Sequence, residues 1–299
     1  MTAEPEVVIA DRSDFDRYAD LRGIRIHFLD YPGPEPAIVL LHGLSANANE
    51  FGGLFDEGLS DSHRVIAPDL RGRGRTGKPD TGYSMSEHAA DVIALLDHLG
   101  LDSVVMGGHS FGALLSIFIA RHYPDRVSRV IVIDAAIVFH PDTEELLKPS
   151  LARLDRILPS ANAYIDEMKG AAHVAGAWDS SLEGYFRAEL QENPDGTAQS
   201  LTSSNAVEQA LRGVGVENWA EHVAGVAHPV VLLNASEGYG PPGSPPLVPP
   251  EHARTTAAAF ENCRYVAVPG NHLTMVFGEN AAVVRREIEA FLAKDASGA

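Results

Sequence analysis

Gly108-His109-Ser110-Phe111-Gly112 is the stretch from which the fold can be read. It has the form G-x-S-x-G, in which a serine sits on a tight, strained turn between a strand and a helix, and small flanking residues let that turn close without side-chain clash. In a chain with 27 glycines the pattern alone is only moderately specific, and a glycine turn that merely contains a serine would look the same. Context decides. The apolar run Ser103–Met106 precedes the turn and the helical pattern Ala113–His122 follows it, as the strand-turn-helix geometry requires.

Outward from that turn, short runs rich in Val and Ile alternate with longer segments of helical period. This predicts an α/β chain with a mostly parallel sheet and helices on both faces. The expected strands are Ile24–Leu29, Ala37–Leu41, Arg64–Ala67, Ser103–Met106, Arg129–Ile133, Val230–Leu233 and Arg264–Val268. Glu87–Leu99 and Ala113–His122 read as intervening helices, and Asn280–Leu292 as a closing one. Between His140 and about Val226 the strand signal disappears, leaving helical patterns with Trp178, Tyr185, Phe186 and Trp219 interspersed. The expected organisation is therefore a core of residues 1–139 and 226–299 with a helical cap, 140–225, inserted into it. Gly238–Pro250 (GYGPPGSPPLVPP) must be loop, because proline removes backbone donors and fixes φ, and it falls at the strand-end edge of the sheet.

Composition narrows the class. Hydrophobic residues make up 45% and charged residues 21%, which is ordinary globular usage and argues against disorder. The formal charge of -18 repels phosphate backbones and anionic headgroups, so neither nucleic acid nor a membrane surface is an expected partner. Cys263 is the only cysteine, which rules out an intrachain disulfide and fits a cytoplasmic location. The amino terminus, MTAEPEVVIADRSDFDRY, lacks the basic start and apolar run of a secretory signal, and no later stretch approaches the ~20 apolar residues of a membrane span. No metal-binding motif or nucleotide cradle is present, so no metal or other cofactor is expected; Asp69-Leu70-Arg71-Gly72-Arg73-Gly74 matches neither phosphate-loop spacing and reads as a structural turn. A small-molecule substrate is the expected partner, and a homo-oligomer is left open.

A serine hydroxyl needs a base to take its proton. Of 13 histidines, His272 in Pro269-Gly270-Asn271-His272 follows the last expected strand and precedes the closing helix, so its loop can reach across the strand ends to Ser110. His109 adjoins the serine and is expected to point away from it, His42 to brace the loop after its strand, and His63, His88, His98 and His122 to lie on the surface or on helix faces. The acid that holds the imidazole in its useful tautomer should lie between Ser110 and His272 in chain order. Two residues qualify: Asp134, at the end of the strand a right-handed crossover lays beside the serine strand, and Glu237, after the next core strand. Asp134 is preferred. The backbone N–H groups of Leu44, in His42-Gly43-Leu44, and of Phe111 are the expected donors to a developing oxyanion, with the Ser45 hydroxyl a further candidate.

HGLSAN, PDLRGRGRTGKP, GGHSFGA and PGNHLTM together resemble the α/β-hydrolase superfamily over nearly the whole chain. The resemblance implies a central sheet of about eight strands with a helical lid inserted after the sixth. VIVIDAAIVFHPD and PVVLLNASEGYGPP…VAVPGNHLTMV look like the thioesterase domains of modular polyketide synthases, whose acid follows the sixth strand, as it does in some small amide and enamide hydrolases. That likeness supports Asp134. Asn271, where an aspartate commonly precedes the histidine, and the DLRGRGRTGKP segment depart from the thioesterase pattern and favour a free-standing hydrolase. The expected activity is cleavage of a carboxylic ester or lactone by way of an acyl-enzyme, with thioester, amide and carbon–carbon bonds as alternatives. Epoxide hydrolases and haloalkane dehalogenases of this fold use an aspartate nucleophile, which Ser110 argues against. A ligand receptor that keeps the fold without turnover ranks below all of these.

Overall fold

Runs such as Ile38–Leu41, buried at every position, have no polar face to offer solvent and form strands covered on both sides. The computed structural model describes residues 12–138 and 143–293. Its strands begin with β1 (Asp16–Leu21), β2 (Ile24–Tyr31), β3 (Ile38–Leu41), β4 (Val65–Pro68), β5 (Val104–His109) and β6 (Val127–Ile133). After them come the short β7 (Ile157–Leu158), β8 (Leu190–Glu192) and β9 (Ala198–Ser200), and then β10 (Val230–Ala235) and β11 (Cys263–Val268). The main sheet has eight strands in the order β1-β2-β4-β3-β5-β6-β10-β11. β2 pairs antiparallel with both β1 and β4, and all other neighbours are parallel. The α/β architecture is thus as the residues imply.

Helices α1 (Gly52–Asp56), α2 (Leu59–Ser62), α3 (Met85–Leu99) and α4 (Phe111–His122) fall among the first six strands. α5 (Thr143–Ala152), α6 (Ala161–Lys169), α7 (Ser180–Ala188), α8 (Ser204–Val216) and α9 (Trp219–Ala224) lie between β6 and β10, and α10 (Pro250–Ala259) and α11 (Gly278–Leu292) complete the chain. α3 starts at a capping Ser84, whose hydroxyl accepts from Glu87 N–H at 3.3 Å, and ends at Gly100 in the left-handed conformation. α11 buries Ala281, Val284, Ile288 and Phe291, one stripe at helical spacing.

Alternate residues of each central strand feed two apolar layers. Val39, Leu41, Met106, Val132 and Leu232 pack with α3, α4 and α10; Ile38, Leu40, Val105, Ile133 and Leu233 pack with α1 and α11. The segment between β6 and β10 touches both layers, α6 and α7 burying residues in the second and α8 and α9 in the first. Two differences from the sequence reading stand out. β1 was not expected, because DRYADL is an edge strand with only Ala19 buried and so carries no apolar alternation. The segment read as free of strands holds the three-stranded sheet β7-β9-β8, whose strands of two or three residues are too short for a period to register. The boundary drawn at residues 139 and 140 lies outside the described residues.

Because β3, β5, β6, β10 and β11 run the same way, their carboxyl ends share one edge. That edge carries the candidate residues, and β5 lies between β3 on one side and β6 on the other.

Candidate active site

Ser110 leaves β5 with φ 53 and ψ -115, a backbone conformation that costs ~1–3 kcal/mol and persists only where surrounding packing enforces it. The enforcement is visible in two glycines. A Cβ on Gly112 would come 1.8 Å from the Leu41 carbonyl oxygen, and one on Gly108 would come 2.3 Å from the Gly112 carbonyl. The Ser110 N–H donates to the Ile133 carbonyl at 2.9 Å, tying the turn to the end of β6.

One residue beyond β6, Asp134 takes φ 47, a left-handed conformation that aspartate tolerates better than most residues. Its carboxylate is 1% exposed and fully engaged. Oδ1 accepts from Asn234 Nδ2 and from the Ala235 N–H, both at 2.8 Å, and Oδ2 accepts from His272 Nδ1 at 2.6 Å. With Nδ1 donating, His272 Nε2 is left as the basic nitrogen. Burial pushes this imidazole below its usual range, and the neighbouring His109 pushes it the same way. The loop that carries His272 is shaped by Asn271, whose Oδ1 accepts from the Leu273 and Thr274 N–H groups and whose Nδ2 donates to the His173 carbonyl. Glu237 is exposed, and among the described residues its carboxylate meets Gly270, accepting from its N–H at 3.2 Å. Of the two acids it is Asp134 that meets the histidine. Ser110 and His272 border the same cavity, and among the described residues no hydrogen bond joins them, as is common for such pairs without substrate.

The loop after β3 is pinned at three of its polar groups. The Gly43 N–H donates to Glu50 Oε2 at 2.8 Å, the Gly43 carbonyl accepts from His42 Nδ1 at 2.7 Å, and the Leu44 carbonyl accepts from Arg73 Nε at 2.9 Å. His42 Nε2 in turn accepts from the Leu70 N–H at 2.9 Å, which fixes its tautomer, and burial keeps this imidazole neutral by lowering its pKa. His42 braces the loop in the expected manner. Among the described residues neither the Leu44 nor the Phe111 N–H is taken by a protein acceptor, the latter being one of the orphan donors at the start of α4.

His109 does not point out of the site. Its ring centroid is 4.5 Å from that of His272, it borders the cavity, and Nδ1 pairs with Glu50 Oε1 at 3.0 Å. Nε2 is buried and without a hydrogen-bond partner among the described residues. Burial opposes charge on both partners, yet their attraction outweighs it, raising His109 and lowering Glu50. Glu50 carries no motif and was missed by the sequence reading; an acidic residue at a 3-10 turn reads as surface. His88, assigned to the surface or a helix face, is 1% exposed on the inner side of α3.

The cavity has a volume of about 530 Å³, within the usual range for small-ligand pockets. Its walls include Leu151, Met168, Tyr185 and Phe186 from the segment between β6 and β10, and Tyr239 from the proline-rich loop. Tyr239 stands edge-on to His272, centroids 5.8 Å apart. Trp178 stacks behind Phe186 at 5.6 Å, and Trp219 packs against the core away from the cavity, its indole donating to the Val214 carbonyl. Asp69 is structural, accepting from the Ala48 and Arg75 N–H groups and from His27. Among the described residues no cluster of three or more His, Cys, Asp or Glu side chains is disposed to hold a metal ion, and no helix is long and apolar enough to cross a membrane.

Residues 36–279 match the family described as alpha/beta hydrolase fold. A 2-(acetamidomethylene)succinate hydrolase from Mesorhizobium japonicum is 31% identical over 210 residues, which cover 69% of this chain and 72% of that protein. A haloalkane dehalogenase from Mycolicibacterium paratuberculosis is 33% identical over 150 residues, 47% of this chain and about half of the relative, at 49%. Among solved structures, E-2-(acetamidomethylene)succinate hydrolase superposes with a TM-score of 0.80 at 24% identity, covering 93% of this chain and 98% of that one.

Proposed function

Since the chain belongs to the alpha/beta hydrolase fold family, we propose that it is a serine hydrolase cleaving a carboxylic ester or lactone of a small organic molecule through an acyl-enzyme. The observation that carries this reading is the 2.6 Å bond from His272 Nδ1 to the buried Asp134 carboxylate, at the wall of the cavity that Ser110 also borders. A histidine held in that tautomer, with its proton affinity lowered by burial, is a neutral base at pH 7.

In this mechanism His272 Nε2 takes the Ser110 proton as Oγ attacks the substrate carbonyl carbon, and the carbonyl π pair moves to oxygen. The Leu44 and Phe111 N–H groups receive that oxyanion. Collapse expels the leaving group with the proton from His272, leaving an acyl-enzyme. Water, deprotonated by the same imidazole, then releases the acid and regenerates Ser110. Asp134 stabilises the imidazolium in both halves. The segment 140–225 acts as a lid that lines the substrate site and excludes water. Cys263 takes no part, since burial raises its thiol to about 12.

A second reading, hydrolysis of an amide, is favoured by the Mesorhizobium relative, whose name puts an acetamido group in its substrate. The same machinery serves both bonds, so a panel of esters, lactones, thioesters and amides on purified protein separates them. Labelling by a fluorophosphonate probe tests the shared premise. Wild type is expected to label and Ser110→Ala to remain unlabelled; a folded wild-type protein that resists the probe would favour a non-catalytic receptor.

A further inference from the structure

Arg73 is 0% exposed, the largest fully buried side chain among the described residues. Burying a guanidinium is costly unless a carboxylate neutralises it. Here none does. Nε donates to the Leu44 carbonyl at 2.9 Å, and Nη1 donates to the Arg71 carbonyl at 2.8 Å and to His88 Nε2 at 3.1 Å, while Nη2 is buried without a partner. Every acceptor is neutral. His88 gives its own Nδ1 proton to the Ser84 carbonyl at 2.8 Å, and burial with the adjacent Arg73 charge holds its pKa well below the usual range. The other groups facing Arg73 are His42, which burial keeps neutral, Tyr83, a phenol whose pKa burial raises, and Arg71, whose charge is matched by Asp91 through bonds of 2.6 and 2.8 Å and by Glu87 at 3.4 Å. Burial lowers Arg73 to about 9, which leaves it charged at neutral pH.

Its neighbours indicate what the charge is for. The guanidinium bonds the carbonyl of Leu44 and lies 5.5 Å from the ring centroid of Phe111, the two residues whose N–H groups face the proposed oxyanion. It does not border the cavity and cannot touch substrate. A buried cation without a counter-ion projects its field through low-dielectric surroundings, where it acts far more strongly than in water. Resting on the serine-hydrolase reading above, we propose that Arg73 is a positioning residue for the oxyanion: it anchors the Leu44 loop, and its unneutralised charge stabilises the negative oxygen of the tetrahedral adduct.

The test uses a trifluoromethyl ketone built on the acyl part of the best ester found in the panel, labelled with carbon-13 at the carbonyl. Ser110 Oγ bonds the carbonyl carbon, its proton passes to His272, and the carbonyl π pair becomes the charge of a hemiketal oxyanion whose pKa is read by NMR. Arg73→Met should raise that pKa by about one unit or more, a tenfold loss of oxyanion stability. It should also lower kcat/KM by roughly tenfold, less than the loss of a direct donor, chiefly in kcat. Arg73→Lys should fall between wild type and Arg73→Met in both, since an ammonium restores a charge but lacks the guanidinium fork and is more readily deprotonated by burial. Arg73→Gln, which keeps donors for the Leu44 and Arg71 carbonyls, carries the comparison where the Met variant does not fold. An adduct pKa unchanged in the neutral variants overturns the proposal. Failure of both neutral variants to fold also overturns it, by making the residue a structural requirement. No adduct on folded wild type sinks the serine-hydrolase reading instead.

Discussion

At the residue scale the decisive contact is between His272 and Asp134. Chain order left two acids open; the crossover from the serine strand and the family resemblance favoured Asp134, and the fold shows it reaching the imidazole. Asp134 has its Oδ1 anchored by Asn234 and Ala235, so Oδ2 is aimed at His272, while Glu237 stays in solvent. Asp134→Asn should therefore lower kcat by ~10³–10⁴ through the wrong imidazole tautomer, and Glu237→Gln should stay within about threefold of wild type. The reverse ranking in a steady-state assay would discard the assignment. Because burial and then the His109 charge depress the His272 pKa, kcat/KM should rise with pH along an acid limb centred below 6.5, the ordinary histidine value, and be flat at neutrality. A limb above pH 7 would mean that the proton measured belongs to another group.

At the scale of elements, the turn after β5 and the loop after β3 are built as a pair. Gly112 lets α4 begin against the Leu41 carbonyl, and a methyl group there would sit 1.8 Å from that oxygen. Gly112→Ala should cost ~4 kcal/mol or more, read as a collapse of the urea midpoint; a variant of wild-type stability would show that the loop can retreat. Glu50 links the two elements, one oxygen on the Gly43 N–H and the other on His109. Glu50→Ala leaves an imidazole and an amide buried without partners and should cost about 3 kcal/mol, measured by chemical denaturation. The G-x-S-x-G turn could be read because its glycines answer a local steric demand. Glu50 could not, because its role depends on a partner 59 positions away.

For the whole molecule, stability should depend on pH in opposite senses at its two ends. Burial disfavours charge on His27, but its bonds to Asp69 at 2.7 Å and Asp16 at 2.9 Å outweigh that and raise its pKa. The stability from His27 is thus complete below about pH 6.5, its unfolded value, and is lost as pH rises through the higher folded value. Glu50 and Asp69 are lowered, burial being overcome by His109 and His27, so theirs is present above the ordinary carboxylate range and is lost as pH falls through the folded values. Urea midpoints should decline on both sides of weak acidity, and His27→Gln should flatten the alkaline decline; an identical slope in the variant would remove His27 as its source. Much of the architecture was local information. Strands β2 to β6, β10 and β11, the strand-turn-helix unit around Ser110, and the candidate serine, histidine and acids follow from apolar period, glycine sterics and chain order, which act over a few residues. β1, the small sheet β7-β9-β8, the anchoring of Asp134 by Asn234 and Ala235, the inward turn of His109, and the burial of Glu50, His88 and Arg73 were decided only in three dimensions. Each depends on which distant groups share its low-dielectric surroundings, and a polar side chain looks the same in a sequence whether water or another residue is to satisfy it.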